Sequence, residues 1–249
     1  MKSEQSLEGL TPNATLSQIL SVYQKAGGLL ESIGLNVSEH KQQTLSSVCR
    51  QKKWSEDEVL EWLKEKQDSR NNISERENGS REDFGDNLSE WSSYVEEAYH
   101  SPTFQLIQDI DERFPRIKKV HGNQYPWIKK MEHSVTHFLQ DFRLYLKFES
   151  KKFFPLIRKF DNNKGKVLDG TVRELKRSHK IIANDQQRLR NKMDAVREKG
   201  NGFKNPEHAC TTLRILNHQF KQLDTMLAEQ FEIEQQHILP LVQQKFKTV

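Results

Sequence analysis

Four side chains of this 249-residue chain have the types and placement that chemistry needs: His100, Glu149, His179 and Glu234. Helical bundles hold metal ions by turning imidazoles and carboxylates inward from facing helices, and each of the four falls on a different amphipathic segment. Glu149 and Glu234 share a setting, since ESKKFFP and EQQHILP run the same distance from the glutamate to an apolar-Pro end. That correspondence predicts two related helix pairs with their carboxylates at one level of a bundle. The competing reading of the same residues is a buried network of hydrogen bonds between histidine and glutamate, without metal. Two further histidines sit near these positions. His121, close to the loop before Pro126, is either a ligand or outer group at the mouth of the site, or a partner for a helix C-terminus. His237 completes a Glu-x-x-His pair with Glu234, a spacing used in ferritin-like carboxylate sites, although among nine histidines such a pairing also arises by chance. Nucleophile, Walker and dinucleotide signatures are absent.

The elements that must position these groups read as helices throughout. Only 34% of residues are hydrophobic and 30% are charged, Gly and Pro are sparse, and mean hydropathy is −0.86. This composition suits amphipathic helices that bury one stripe each, so an all-α fold is expected. After an N-terminal tail (1–14), residues 15–66 form a small helical domain. Thr15 caps its first helix, Gly27 and Gly28 interrupt the pattern, Gly34 ends a second apolar turn, and Thr44 starts the next helix. Ser55 with Glu58 three residues later forms a capping box before Val59, Leu60, Trp62 and Leu63. Residues 67–86, polar and charged, read as a linker. Residues 87–249 contain four long segments: about 88–120 with a kink near Ser101-Pro102, 126–160 interrupted near Pro155, 168–199, and 206–246 perturbed at Pro240. The turns HGNQYP, DNNKGK and EKGNGFKNP are short, which implies an up-down-up-down bundle. The stripes Phe104, Ile107, Ile110, Phe114, Ile117 and Phe138, Phe142, Tyr145, Phe148 read as its core.

Net charge is +4, with 39 basic and 35 acidic residues interleaved, so no nucleic-acid partner is expected. No segment has the apolar length of a membrane span and no apolar signal core opens the chain, so the expected location is cytoplasmic. Two distant cysteines, Cys49 and Cys210, form no disulfide framework. Cys49 lies in an apolar helical pattern and reads as a packed residue.

Taken together, the motifs resemble the di-iron iron–sulfur cluster repair proteins, which pair a small leading helical domain with a hemerythrin-like bundle. AYHSPTFQLIQDIDERFPRIKKVHG supplies Tyr99-His100 and Val120-His121-Gly122 at the family's interval. YLKFESKKFFP supplies Glu149 and Pro155, LKRSHKII supplies His179, PEHACTTLRILNHQF matches the start of the fourth helix, and EQFEIEQQHILP supplies Glu234 and Pro240. ATLSQILSVYQKAGGLLESIGL with TLSSVCRQKKWSEDEVLEWL resembles the leading domain. The resemblance implies a hemerythrin-like four-helix bundle in which His100, Glu149, His179, Glu234 and His121 hold iron. This chain departs from the pattern where Tyr145 and Gln230 stand in place of two imidazoles, and where Ser38 and Glu39 replace a cysteine pair. Iron is therefore the expected cofactor, with a di-iron centre, one metal ion or none all open. The resemblance implies repair of iron–sulfur clusters or a response to nitrosative or oxidative stress, with damaged iron–sulfur proteins, nitric oxide or oxygen as partners and a second copy of the chain as a candidate companion. Whether such a chain acts as an enzyme stays open. The alternative is a metal-poor scaffold that acts as a protein-binding or regulatory module.

Overall fold

The computed structural model describes residues 7–71, 84–163 and 168–246, and every extended element among them is helical, without strands. The chain divides into two compact units: Met1–Glu77 with Lys204–Gln219, and Asn78–Phe203 with Phe220–Val249.

The smaller unit is built from short helices closed by local capping. These are α1 (Leu16–Val22), α2 (Ala26–Ser32), α3 (Val37–His40), α4 (Leu45–Lys52) and α5 (Glu56–Asn71). The hydroxyl of Thr15 accepts from the Gln18 N–H while the Gln18 side chain accepts from the Thr15 N–H, a reciprocal box. Gly27 and Gly28 do not interrupt the chain as the sequence suggests; they lie inside α2. Gly34 does end it, with φ of +99°, a conformation in which a side chain would be strained. The tail expected over 1–14 packs from Leu7 onward, since Leu7 is fully buried and its N–H donates to Gln67 Oε1 at 2.8 Å. Gln67 therefore belongs to a helix and not to a linker; α5 runs to Asn71, and residues 72–83 of the expected linker lie outside the described residues. At Ser55 the capping box takes a different form. Ser55 Oγ accepts from Glu58 N–H at 3.3 Å, but the Ser55 N–H donates to Thr211 Oγ1 at 3.0 Å and the Glu58 carboxylate accepts from Thr212 Oγ1 at 2.8 Å. Residues far along the chain thus complete the cap, and Ile215 joins the same apolar core as Trp62 and Leu63.

The larger unit holds four helical rods. The first is α6 (Leu88–Val95) and α7 (Ser101–His121), the second α8 (Pro126–Phe148) and α9 (Phe154–Asn162), the third α10 (Asp169–Lys199), and the last α11 (Thr211–Ile233), of which residues from Phe220 lie in this unit, with α12 (Leu239–Lys245). Three rods are widened by one π-helical turn, at Glu96–His100, Glu149–Phe153 and Glu234–Ile238. Each π turn is followed by an α segment with proline at its second residue: Pro102, Pro155 and Pro240. Proline lacks an N–H and its ring crowds the carbonyl four residues back, so a turn with longer-range bonds relieves both defects. The kinks expected at these prolines are therefore π turns, and the helices continue through them. The last rod begins at Thr211 instead of Pro206. No described helix is long and apolar enough to cross a membrane.

Candidate functional site

The three π turns carry the three groups that meet in the core. His100 ends the first, Glu149 opens the second and Glu234 opens the third. The residues around them are removed from water: Glu149, Glu234, Gln186 and Gln230 are 0% exposed, Tyr145 2% and His100 4%. Phe154 stacks on His100 with ring centroids 5.5 Å apart, and Phe231 packs edge-on against Tyr145 at 5.2 Å.

A continuous hydrogen-bonded chain links these side chains. His100 Nδ1 is 2.8 Å from Ser150 Oγ and its Nε2 is 3.1 Å from Glu149 Oε2. Gln230 Nε2 donates to Glu149 Oε2 at 2.9 Å and to Glu234 Oε1 at 2.7 Å. Glu234 Oε2 accepts from Tyr145 Oη at 2.5 Å and from Gln186 Nε2 at 2.6 Å. Gln186 also donates to Tyr145 Oη at 3.2 Å, and its own carbonyl accepts from Gln235 Nε2 at 2.8 Å. Gln235 in turn accepts from the half-buried Arg190 at 3.0 Å.

Burial decides the protonation states. Loss of hydration raises the Glu149 carboxyl to about 8, against the lowering influence of the neighbouring Tyr145, Glu234 and Gln230 side chains. Burial, followed by the nearby Glu149 charge, raises Glu234 well above the usual carboxylate range. Burial lowers His100 to about 4 and raises the Tyr145 phenol well above its ordinary value. At neutral pH the centre thus holds a neutral imidazole, a phenol and a Glu149 carboxylic acid. One proton arrangement fits these states: Nδ1–H of His100 donates to Ser150, and the acid proton of Glu149 is donated to Nε2 of His100. Ionising either carboxyl here exposes a charge to an apolar interior at high cost.

Of the five sequence-derived candidates, three come together: His100, Glu149 and Glu234. His179 does not join them. Its Nε2 donates to the Leu239 carbonyl at 3.1 Å and its ring packs edge-on against Phe246 at 6.1 Å. The position on α10 that reaches the centre is Gln186, two turns and ~10 Å further along the helix, so both residues cannot stand at one level. His121 lies at the far end of α7, ~30 Å along the rod from His100, where Nδ1 is 3.3 Å from Gln124 Oε1. It is not at the mouth of this site. His237 stacks on Trp91 at 4.0 Å with the rings 8° from parallel, so the Glu-x-x-His spacing does not bring it to Glu234. Gln186 and Ser150 are the participants that sequence reasoning missed. Gln186 was detectable in principle, being a polar residue in the buried stripe Val172, Leu175, Ile182, Leu189, Met193, Val196.

The donor set does not fit a di-iron centre. One imidazole is present, and among the described residues no three His, Cys, Asp or Glu side chains are grouped to hold a metal ion. The carboxyl oxygens already receive N–H and O–H donors: three of the four are bonded, and the exceptions in the centre are Glu149 Oε1 and the Gln230 carbonyl, which lack partners. Ser38 and Glu39 sit on the short α3, where Ser38 hydrogen-bonds Asn36 at 2.7 Å and Glu39 accepts from Asn36 at 2.7 Å, and burial pushes the Cys49 thiol up to about 12.

No protein-family model matches the chain. The chain is 19% identical, over 146 residues and 59% of its length, to the iron–sulfur cluster repair protein ScdA of Staphylococcus haemolyticus, and the match spans 63% of that protein's length. This chain is therefore a distant relative of a protein named for iron–sulfur cluster repair.

Proposed function

We propose that this chain serves iron–sulfur cluster repair or the response to nitrosative and oxidative stress, as a hemerythrin-like bundle with a small leading helical domain. The distant similarity to a protein named for that repair supports the reading, as does the meeting of His100, Glu149 and Glu234, one from each of three π-widened rods. In this function iron, or the damaged cluster, is cargo or substrate delivered by a protein partner.

Within that reading the chain takes the metal-poor form, as a protein-binding or regulatory module. The observation that carries this is the Gln230 amide, which donates to both carboxyl groups at 2.9 and 2.7 Å. It fills with N–H groups the space between two acids that bridging metal ions would need. Tyr145 and Gln186 saturate the far side of Glu234 in the same way. Three of the four carboxyl oxygens are thus met by donors of the chain itself, which holds the pair together without an ion.

Iron content tests the choice. The chain, purified aerobically from iron-supplemented cells, should carry no stoichiometric iron, and chelator should leave its unfolding temperature unchanged. Two irons per chain with oxo-to-iron charge-transfer absorption would replace the metal-poor form with an iron-carrying one. Failure of the chain to restore cluster-enzyme activity in cells lacking their own repair protein would remove the repair reading itself.

A further inference from the structure

We propose that His133 and His137 form a binding site for a divalent transition-metal ion on the outward face of α8, apart from the buried centre and independent of the function proposed above. The stretch HSVTH places two imidazoles four residues apart in an unbroken α-helix. Side chains at that spacing stand on one face with Cβ atoms ~5–6 Å apart, and the same interval carries both histidine ligands of helical H-E-x-x-H zinc sites. Met131, Val135 and Phe138 turn into the core, which leaves 133 and 137 on the solvent side, and both are exposed.

Three observations make the pair more than two surface residues. The rings already approach each other, with centroids 4.2 Å apart and planes 54° from parallel. Neither imidazole takes part in a hydrogen bond or ion pair with a described residue, so ring nitrogens on both remain open to a ligand. The two rings also line one open cleft together with Lys129, Glu132 and Thr136. The lysine that would repel a cation is drawn off: Lys129 Nζ donates to Asn123 Oδ1 at 2.6 Å. Glu132 adds a carboxylate at the rim, one oxygen of which pairs with Lys118 at 2.5 Å.

Two imidazole nitrogens select borderline ions such as Cu²⁺, Ni²⁺ and Zn²⁺ over hard Mg²⁺ or Ca²⁺, with Cu²⁺ held most tightly. Water completes the coordination shell, because two histidines fall short of a closed structural site. The ion binds only the helical form, in which the pair shares a face, so it stabilises the folded chain by mass action.

The untagged full-length chain is titrated with Zn²⁺ and, separately, Cu²⁺, and uptake and unfolding temperature are recorded. The wild type should take up one ion that His133→Asn and His137→Asn each lose, and its unfolding temperature should rise with Zn²⁺ where theirs does not. His208→Asn, an exposed histidine elsewhere, should behave as wild type. Lys129→His combined with His137→Thr recreates the four-residue interval on the same face and should regain the ion. Equal uptake by the wild type and both single variants, no uptake by the wild type, or no regain in the double variant at unchanged helix content would overturn the site.

Discussion

Replacing Glu149 by glutamine separates a protonated centre from a metal-ligating one, and its effect can be worked from the environment of the carboxyl. Burial raises that carboxyl from 4.5 to about 8. Between those pH values the folded chain holds a proton that the unfolded chain has lost. Stability from this group is therefore full below 4.5 and falls as pH rises through about 8, by about 1.4 kcal/mol per pH unit. His100 acts in the opposite sense. Its imidazole is lowered from 6.5 to about 4, so its contribution improves as pH rises across that interval. The two slopes offset each other below pH 6.5, and the wild type should lose stability mainly above it, with raised Glu234 adding to the fall. Glu149→Gln keeps the size of the side chain but cannot ionise, and because His100 and Gln230 both meet Glu149 Oε2 its amide keeps one of those two bonds at a time. The stability of this variant relative to wild type should thus rise by about 2 kcal/mol between pH 6.5 and 8, from 1.5 units at about 1.4 kcal/mol each. Urea unfolding of both proteins at several pH values measures the difference. A difference that does not change with pH refutes the reasoning. A variant that is less stable throughout, and that loses bound iron, would mean that Glu149 acts as an ionised ligand.

Two substitutions on α10 test which residue reaches the centre. Gln186→Leu leaves Glu234 and Tyr145 short of a buried donor and should cost about 1–3 kcal/mol in urea unfolding. His179→Ala removes one bond to the Leu239 carbonyl and should cost about 1 kcal/mol, without altering the pH dependence that arises from Glu149. In the small unit, Trp62 is fully buried and packs edge-on against His218 at 5.5 Å. Trp62→Ala should lower stability by about 3–5 kcal/mol, read as an earlier urea midpoint for that unit.

The helices were legible because their signals are local. Thr15 and Thr44 cap the helices expected to start there, and the apolar stripes of the long segments face the core, with Phe104 and Phe148 only half-buried. The correspondence between ESKKFFP and EQQHILP was also a true local signal: both runs open a π turn on a glutamate and continue into an α segment through a proline. What the sequence left unread depends on depth along a helix and on distant partners. His179 and Gln186 lie seven residues apart, nearly the same angle around α10, so periodicity alone cannot say which stands level with Glu234. The cap at Ser55 needed Thr211, more than 150 residues away. In the sequence Tyr145 and Gln230 stand only as losses from a ligand set, because their gain as donors appears once Glu149 and Glu234 are seen to be close and buried.

The donors at the centre form one consistent set. Two carboxyl groups buried side by side repel each other when ionised and strand their protons when neutral, and a bundle keeps such a pair only if something bridges it. A metal ion is one bridge; a carboxamide is another, since its N–H₂ group can donate to both acids at once. Gln230 does so, one helical turn before Glu234 on the same rod. A carboxamide bridge leaves Glu234 Oε2 to be satisfied, and Tyr145 and Gln186 reach it from two other rods. Replacing any one of the three by an apolar residue would leave a buried carboxyl oxygen without one of its donors. The glutamines and the tyrosine are therefore coupled as donors to the carboxyl pair; their hydrogen bonds favour its charged form, and burial outweighs them to give the raised carboxyl that the pH dependence of Glu149→Gln reads out.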